Sequence, residues 1–194
     1  MSLVISLVTR GRPERLLNTI ERTLPMLGEA STKIVVSIDD DDEATQDVAN
    51  RIEGLDGRII VDSRPREDSI GAKWDRCLDY KGSVYYPQAD YTPYITPNFD
   101  TKILEAAALF PDGIGVVYSQ MANASFPRSQ GATRKLVDML GFMYPPYFPY
   151  WFVDHWLHDI AQLIDRISFA DVDVDPGPAK LPTQEMRDVG WWAT

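Results

Sequence analysis

Ser83–Asp100 reads SVYYPQADYTPYITPNFD, and the fold turns on it. Val84, Tyr85 and Tyr86 are β-branched or aromatic and favour a strand, which Pro87 is expected to end because proline cannot donate to a sheet ladder. Asp90 then stands where a buried strand opens into solvent. Thr96 and Pro97 read as a helix start, the threonine as cap and the proline at the first helical position, with Ile103, Leu104, Ala107 and Ala108 on one face. A carboxylate at the carboxyl end of a sheet strand, ahead of a helix, lies where open α/β sheets bind their ligands.

The chain before it repeats this pattern. Leu3–Val8 is an apolar strand, Thr9-Arg10-Gly11-Arg12-Pro13 a loop, and Leu16, Leu17, Ile20, Leu24 and Leu27 recur at helical spacing. Lys33–Ile38 is a second strand, followed by an acidic turn and a helix carrying Ala44, Val48, Ala49 and Ile52 that closes near Gly54. Arg58–Val61 is a third strand, and Ser69 can cap a helix carrying Ala72, Trp74, Cys77 and Leu78. Such β-α alternation with near-continuous apolar strands implies a mainly parallel, right-handed wound sheet covered on both faces.

Beyond Asp100 the signals thin. Gly113–Tyr118 reads as a strand, and the helical period weakens through Ser119–Gly131. Phe142–Phe152, FMYPPYFPYWF, mixes proline with aromatics; it is no regular helix, and it is too apolar for an idle surface loop, which suits a pocket wall. Val153–Ile167 returns to helical spacing with Trp156, Leu157, Ile160, Leu163 and Ile164 inward, and Ser168–Val174 alternates as a strand. With 194 residues, 44% of them hydrophobic, one domain over 1–174 is expected, with 175–194 as a tail packing on it through Trp191 and Trp192.

The formal net charge of -10 disfavours nucleic acid and anionic membrane surfaces as partners. Cys77 is the only cysteine, so no internal disulfide forms and a reducing, cytoplasmic home is expected. No apolar run is long enough for an integral membrane segment. G-x-G-x-x-G, G-x-x-x-x-G-K-[ST] and G-x-S-x-G are all missing from the sequence, which removes the best support for a dinucleotide dehydrogenase, a P-loop NTPase and an α/β-hydrolase.

Basic residues gather at strand ends: Arg10 and Arg12 after the first, Arg64 and Arg66 after the third, Lys73 and Arg76 in the next helix. In a parallel sheet those loops share one edge with Asp39 and Asp90, making a cleft with a basic floor and carboxylate posts. Any single arginine there is equally well a solvated loop charge. Most of the acidic run Asp39–Glu43 suits a helix N-terminus, whose dipole favours negative charge, while Asp39, the first of the run, points into the cleft and can accept hydrogen bonds from a nucleobase or ribose. His155 and His158 share a helix face, a spacing open to a metal but more ordinary as surface histidines. Asp154 opens that helix and can serve both as its cap and as a pocket carboxylate.

With Thr9–Pro13, Ser37–Thr45, Ser69–Asp79 and Tyr86–Asp100 in this order, the chain resembles the GT-A fold glycosyltransferases, most closely the family-2-like group, over about Leu3 to Val174. The resemblance implies a single three-layer α/β/α domain with a mainly parallel, mixed sheet. It implies a nucleotide-diphosphate sugar donor, a UDP-sugar favoured, held by Thr9, Arg10, Arg12, Asp39, Lys73 and Asp90. Asp39 falls where that family's acid contacts the base, and Lys73 where it often has a basic residue, before an asparagine that is Asp75 here. Asp90 matches the metal-binding Asp-Asp segment, with Tyr91 in place of the second acid, and Thr96-Pro97-Asn98-Phe99-Asp100 matches the Thr-Pro-Gly-Trp-Asp that follows. A Mn2+ or Mg2+ ion is implied on Asp90, and where related enzymes carry a histidine at the end of the last strand this chain offers Asp173 and Asp175, of which Asp175 is taken as the second ligand. Asp154 matches the catalytic base of inverting members. A domain that binds a nucleotide-sugar without turnover, and a nucleotidyltransferase, are the alternatives.

Overall fold

The computed structural model describes residues 1–119 and 129–175; the tail expected over 175–194 therefore lies outside the described residues beyond Asp175. The elements run β1 (Leu3–Val8), α1 (Pro13–Thr23), β2 (Lys33–Asp39), α2 (Glu43–Glu53), β3 (Ile59–Arg64), α3 (Ile70–Asp75), β4 (Val84–Ala89), α4 (Phe99–Ala107), β5 (Val116–Ser119), β6 (Gln130–Thr133), α5 (Arg134–Leu140), α6 (Val153–Leu163) and β7 (Ile167–Ala170). They build one seven-stranded sheet in the order β3-β2-β1-β4-β6-β5-β7. The first four strands are parallel, β6 runs antiparallel to both β4 and β5, and β7 is parallel to β5.

Strand alternation divides the core in two. Leu3, Ile5 and Leu7 pack with residues of α1, α2 and α4, whereas Val4, Val35 and Tyr85 pack with residues of α3, α5 and α6. Helices thus cover both faces, the only way a sheet this apolar on each side can leave water. All six residues of β1 are buried, as its central place demands.

Register then brings the strand ends together. Val8 pairs with Ser37 on one side and Ala89 on the other, so Thr9, Asp39 and Asp90 emerge at one edge. Pro87 does not end β4. It pairs in register with Ser6, and its carbonyl accepts from the Tyr94 hydroxyl at 2.7 Å. The proline nitrogen faces the same way as its carbonyl, away from β1, on the side where the β6 pairing covers only Val84 and Tyr85; no ladder donor is lost.

The segment after β4 departs from expectation again. Neither Thr96 nor Pro97 starts α4, which begins at Phe99 behind a left-handed Asn98 with φ 54°. The Thr96 hydroxyl instead accepts from the Asp173 amide at 2.8 Å, and Ala108 is exposed. Asp100 is fully buried and accepts from the Gly28 amide, the Glu29 amide and the Thr32 hydroxyl at 2.8–2.9 Å, fastening the loop before β2 to α4.

Most differences fall in the C-terminal part. Patterning did not anticipate β6 or α5; β6 reads QGAT, with no long β-formers, and is a strand because it fills the gap between β4 and β5. Gly131 is required there, since a Cβ would lie 2.4 Å from the Tyr85 carbonyl oxygen. The last strand covers Ile167–Ala170 rather than Ser168–Val174, with Val174 in an isolated bridge to Tyr94. Leu163 and Ile164, expected inward, are exposed. Asp154 is not the cap of α6, because the cap position belongs to Phe152 at φ 71°. Among the described residues no helix is long and apolar enough to cross a membrane.

Candidate functional site

Asp39 is the anchor of the floor. Its side chain is buried, and three cations converge on it: Lys73 Nζ at 2.7 Å, Arg10 at 3.0 Å and Arg76 at 3.4 Å. Lys73 also donates to the Thr9 carbonyl at 2.7 Å, tying α3 across the ends of β1 and β2. Arg76 donates further to the carbonyls of Ile38 and Pro65. Arg10 grips Asp41 with both terminal nitrogens, and that hydrogen bonding holds the Asp41 carboxyl below the usual range. Asp42 caps α2, accepting from Thr45 and from the Gly11 amide at 2.7 Å. The acidic run therefore divides its labour between helix cap and cleft.

Asp90 is wholly buried. One carboxylate oxygen, Oδ2, accepts from the Thr9 hydroxyl at 2.8 Å and lies 3.0 Å from Arg12 Nε; its carbonyl accepts from Thr19 of α1 at 2.8 Å. Oδ1 is buried and finds no donor among the described residues. Burial pushes the carboxyl up from its ordinary value, and Arg12 and Thr9 offset only part of that. The Arg12 guanidinium rests 5.8 Å from the centre of the Tyr91 ring, within cation–π range. Two buried carboxylates thus face Arg10, Arg12, Lys73 and Arg76, while Asp41 and Glu67 take up further bonds of Arg10 and Arg76.

The opposite wall is aromatic. Phe142–Phe152 crosses α3, its backbone so close that a Cβ at Gly71 would lie 2.6 Å from the Pro145 carbonyl oxygen. Asp75, one turn further along the same face of α3, receives the Met143 and Tyr144 amides at 3.0 and 3.1 Å. Burial raises its pKa to about 7 against those two bonds. The Ile70 amide donates to Pro149 at 3.0 Å, and Trp74 meets Tyr144 edge-on. The loop delivers Tyr150, Trp151 and Phe152 to the cavity and then turns into α6. Asp154, the second residue of α6, is half exposed, and its Oδ1 accepts from its neighbour His155.

Floor and wall enclose a cavity of about 660 Å³ lined by Thr9, Arg10, Arg12, Asp39, Lys73, Asp90 and Asp154 together, a size that suits a small ligand or cofactor. Asp175 is not among the lining residues; it pairs with Arg22 at 2.7 Å, and its amide donates to the Pro93 carbonyl. His155 and His158 do not converge, because His155 sits against Asp154 and His158 shares a hydrogen bond of 2.8 Å with the Tyr118 hydroxyl. Arg64 bonds Asp62 and Asp79 rather than the cavity.

Among the described residues no group of three or more His, Cys, Asp or Glu side chains converges to hold a metal ion. The buried, donorless Oδ1 of Asp90 does fit a hard cation, provided that the cation takes its remaining ligands from phosphates and water, as Mg2+ commonly does. Two further polar residues belong to the site. Thr19 interrupts the apolar stripe Leu16, Leu17 and Ile20, a signal visible in the sequence. Gln130 lines the wall, and only the tertiary placement of β6 shows it.

No family model and no curated relative matches the chain. Solved structures do. S. aureus TarS 1-349 in complex with UDP-GlcNAc superposes with a TM-score of 0.69 at 13% identity, covering 96% of this chain and 61% of that one. The mannosyltransferase PcManGT from Pyrobaculum calidifontis, in complex with GDP-Man and Mn2+, gives 0.69 at 9% identity, over 87% of this chain and 56% of that one. S. aureus TarS gives 0.64 at 13%, over 97% and 38%. The chain spans between 38% and 61% of the length of these three structures, and the likeness is one of fold: an α/β domain of the GT-A type.

Proposed function

We propose that residues 1–174 are the nucleotide-sugar-binding and catalytic domain of a glycosyltransferase, with a UDP-sugar as the favoured donor and an acceptor hydroxyl as the nucleophile. The observation that carries this is the convergence of Asp39, Asp90, the basic floor and Asp154 on one cavity at the carboxyl edge of the parallel strands. The solved relatives hold UDP-GlcNAc, or GDP-Man with Mn2+, on the same fold. The lone, buried Cys77 suits a reducing cytoplasm.

Asp39, at the end of β2, accepts from the base or ribose, with Lys73, Arg10 and Arg76 holding its carboxylate in place. Thr9, Arg10, Arg12 and Lys73 face the diphosphate. Asp90 would hold a Mn2+ or Mg2+ ion jointly with the donor's phosphates, and the ion supplies neutralisation of the charge that builds on the leaving diphosphate. Asp154 is placed to take the proton of the acceptor hydroxyl as that oxygen bonds to the anomeric carbon and the bond to the diphosphate oxygen breaks, which inverts the centre. Its exposure suits a base that must meet an incoming acceptor and return its proton to solvent.

Calorimetry with UDP and GDP tests the donor site. UDP is expected to bind, more tightly with Mn2+, and Asp90→Ala to lose on the order of tenfold in affinity. If neither nucleotide binds or shifts the melting temperature, with or without Mn2+, the transferase assignment fails. Tyr91, in the place of a second acid, favours a second possibility, a domain that binds donor without turnover. Slow hydrolysis of the donor, lost in Asp154→Asn, identifies the enzyme; equal turnover in variant and parent removes Asp154 as the base.

A further inference from the structure

Gln130 is 1% exposed, yet it lines the cavity. Its Nε2 donates to the backbone carbonyl of Asp154. That contact settles which way the amide faces, because a carbonyl oxygen repels the amide oxygen and accepts only from the nitrogen. Oε1 is therefore turned elsewhere, and among the described residues it finds no donor. A buried acceptor left without a donor is costly, and this one belongs to a residue that lines the cavity, so a ligand there can supply the donor. It takes an O–H or N–H and repels a phosphate oxygen.

Position narrows the donor further. Ala132 pairs with Tyr85 in the antiparallel β4–β6 ladder, so Gln130 runs beside the later part of β4, toward Asp90. The Tyr86 hydroxyl donates to the Ser129 carbonyl, and the Tyr144 hydroxyl to the Gln130 carbonyl, both holding this part of the chain. On its other side Gln130 holds the first turn of α6. It thus stands between Asp90, the diphosphate end, and Asp154, the acceptor end, where the transferred sugar must lie if the proposed function holds, and this inference rests on that assignment.

We propose that Gln130 Oε1 accepts a hydrogen bond from a ring hydroxyl of the donor's sugar and so selects the sugar, while its amide nitrogen orients the helix that carries Asp154. The test measures binding of UDP, UDP-glucose, UDP-galactose and UDP-N-acetylglucosamine by calorimetry, with GDP and GDP-mannose as a second series. For the tightest donor, Gln130→Leu is expected to lose about tenfold in affinity while binding of the bare nucleotide is unchanged. Among monodeoxy analogues of that donor, one loses the same factor with the parent protein and nothing more with the variant. An equal fall for donor and bare nucleotide, or no fall for either, overturns the proposal. Should the variant fail to fold, the deoxy series on the parent decides alone, and a loss below twofold at every hydroxyl also overturns it. If UDP and GDP do not bind at all, the donor assignment falls as well; if a nucleotide binds and the sugar adds nothing, only the role of Gln130 is lost.

Discussion

The two sides of the cavity are built on opposite plans. On the floor, at the ends of β1, β2 and β4, the functional side chains are buried and already committed: Asp39 to three cations, Asp90 to Thr9 and Arg12. On the wall, the aromatic loop and α6 present half-exposed groups, and the Asp154 carboxylate, half exposed, bonds His155 beside it. A buried charge survives only when paired, so the floor must be preformed and rigid. A surface carboxylate needs no partner, so the wall is left adjustable. The difference teaches that the floor's buried charges are tied to the stability of the fold, while the half-exposed groups of the wall can change with little structural consequence.

The comparison is open to breaking. Asp39→Ala should be the most damaging change, about 3–5 kcal/mol of unfolding free energy, since it takes the shared carboxylate away from two buried cations, Lys73 and Arg76. Urea denaturation measures it, and a loss under about 1 kcal/mol would mean that the floor is not held by its charges. Arg12→Met is expected to reduce UDP affinity about tenfold, because it removes the guanidinium beside Asp90 that is proposed to face the diphosphate; unchanged affinity in calorimetry would place the phosphates elsewhere.

Smaller effects probe the wall. Asp75 has its pKa raised to about 7 by burial, so the folded protein holds a proton that the unfolded chain releases near pH 4. Its contribution to stability is present below about pH 4 and is lost as pH rises through about 7. Asp75→Asn should flatten that part of the stability-against-pH curve, and an unaltered slope in denaturation across pH 4–8 would show that the loop is not hung on this group. Last, Asp154→Ala should leave unfolding free energy within about 0.5 kcal/mol of the parent, as surface substitutions do. A larger loss would mean that α6 depends on it and that the two sides are not separate in their energetics.

How far each side could be read in advance follows the same division. The strands and helices before Asp100 were legible because each apolar run is bounded by turn residues and repeats the same unit; Ser69 caps α3 as expected. Prolines misled in both places where they were read as punctuation: Pro87 sits inside a strand because its missing donor faces away from β1, and Pro97 precedes a helix that waits for Asn98. β6 was invisible because four residues, QGAT, carry no pattern, and Gln130 went unread with it. Asp175, expected as a metal ligand from the resemblance, pairs with Arg22, a contact that no local pattern announces.

By itself, then, the sequence determined the α/β alternation, the parallel strands and the placing of Asp39 and Asp90 at one edge. Local periodicity and hydrophobic burial suffice for that, because neighbouring residues decide whether a segment is a strand or a helix and which side it buries. Only the tertiary structure decided that Asp39 is held by three cations, that Asp90 keeps one oxygen without a donor among the described residues, and that Gln130 bonds the Asp154 carbonyl on the cavity wall. Those are contacts between residues dozens of positions apart, set by register and packing, which no short window of sequence contains.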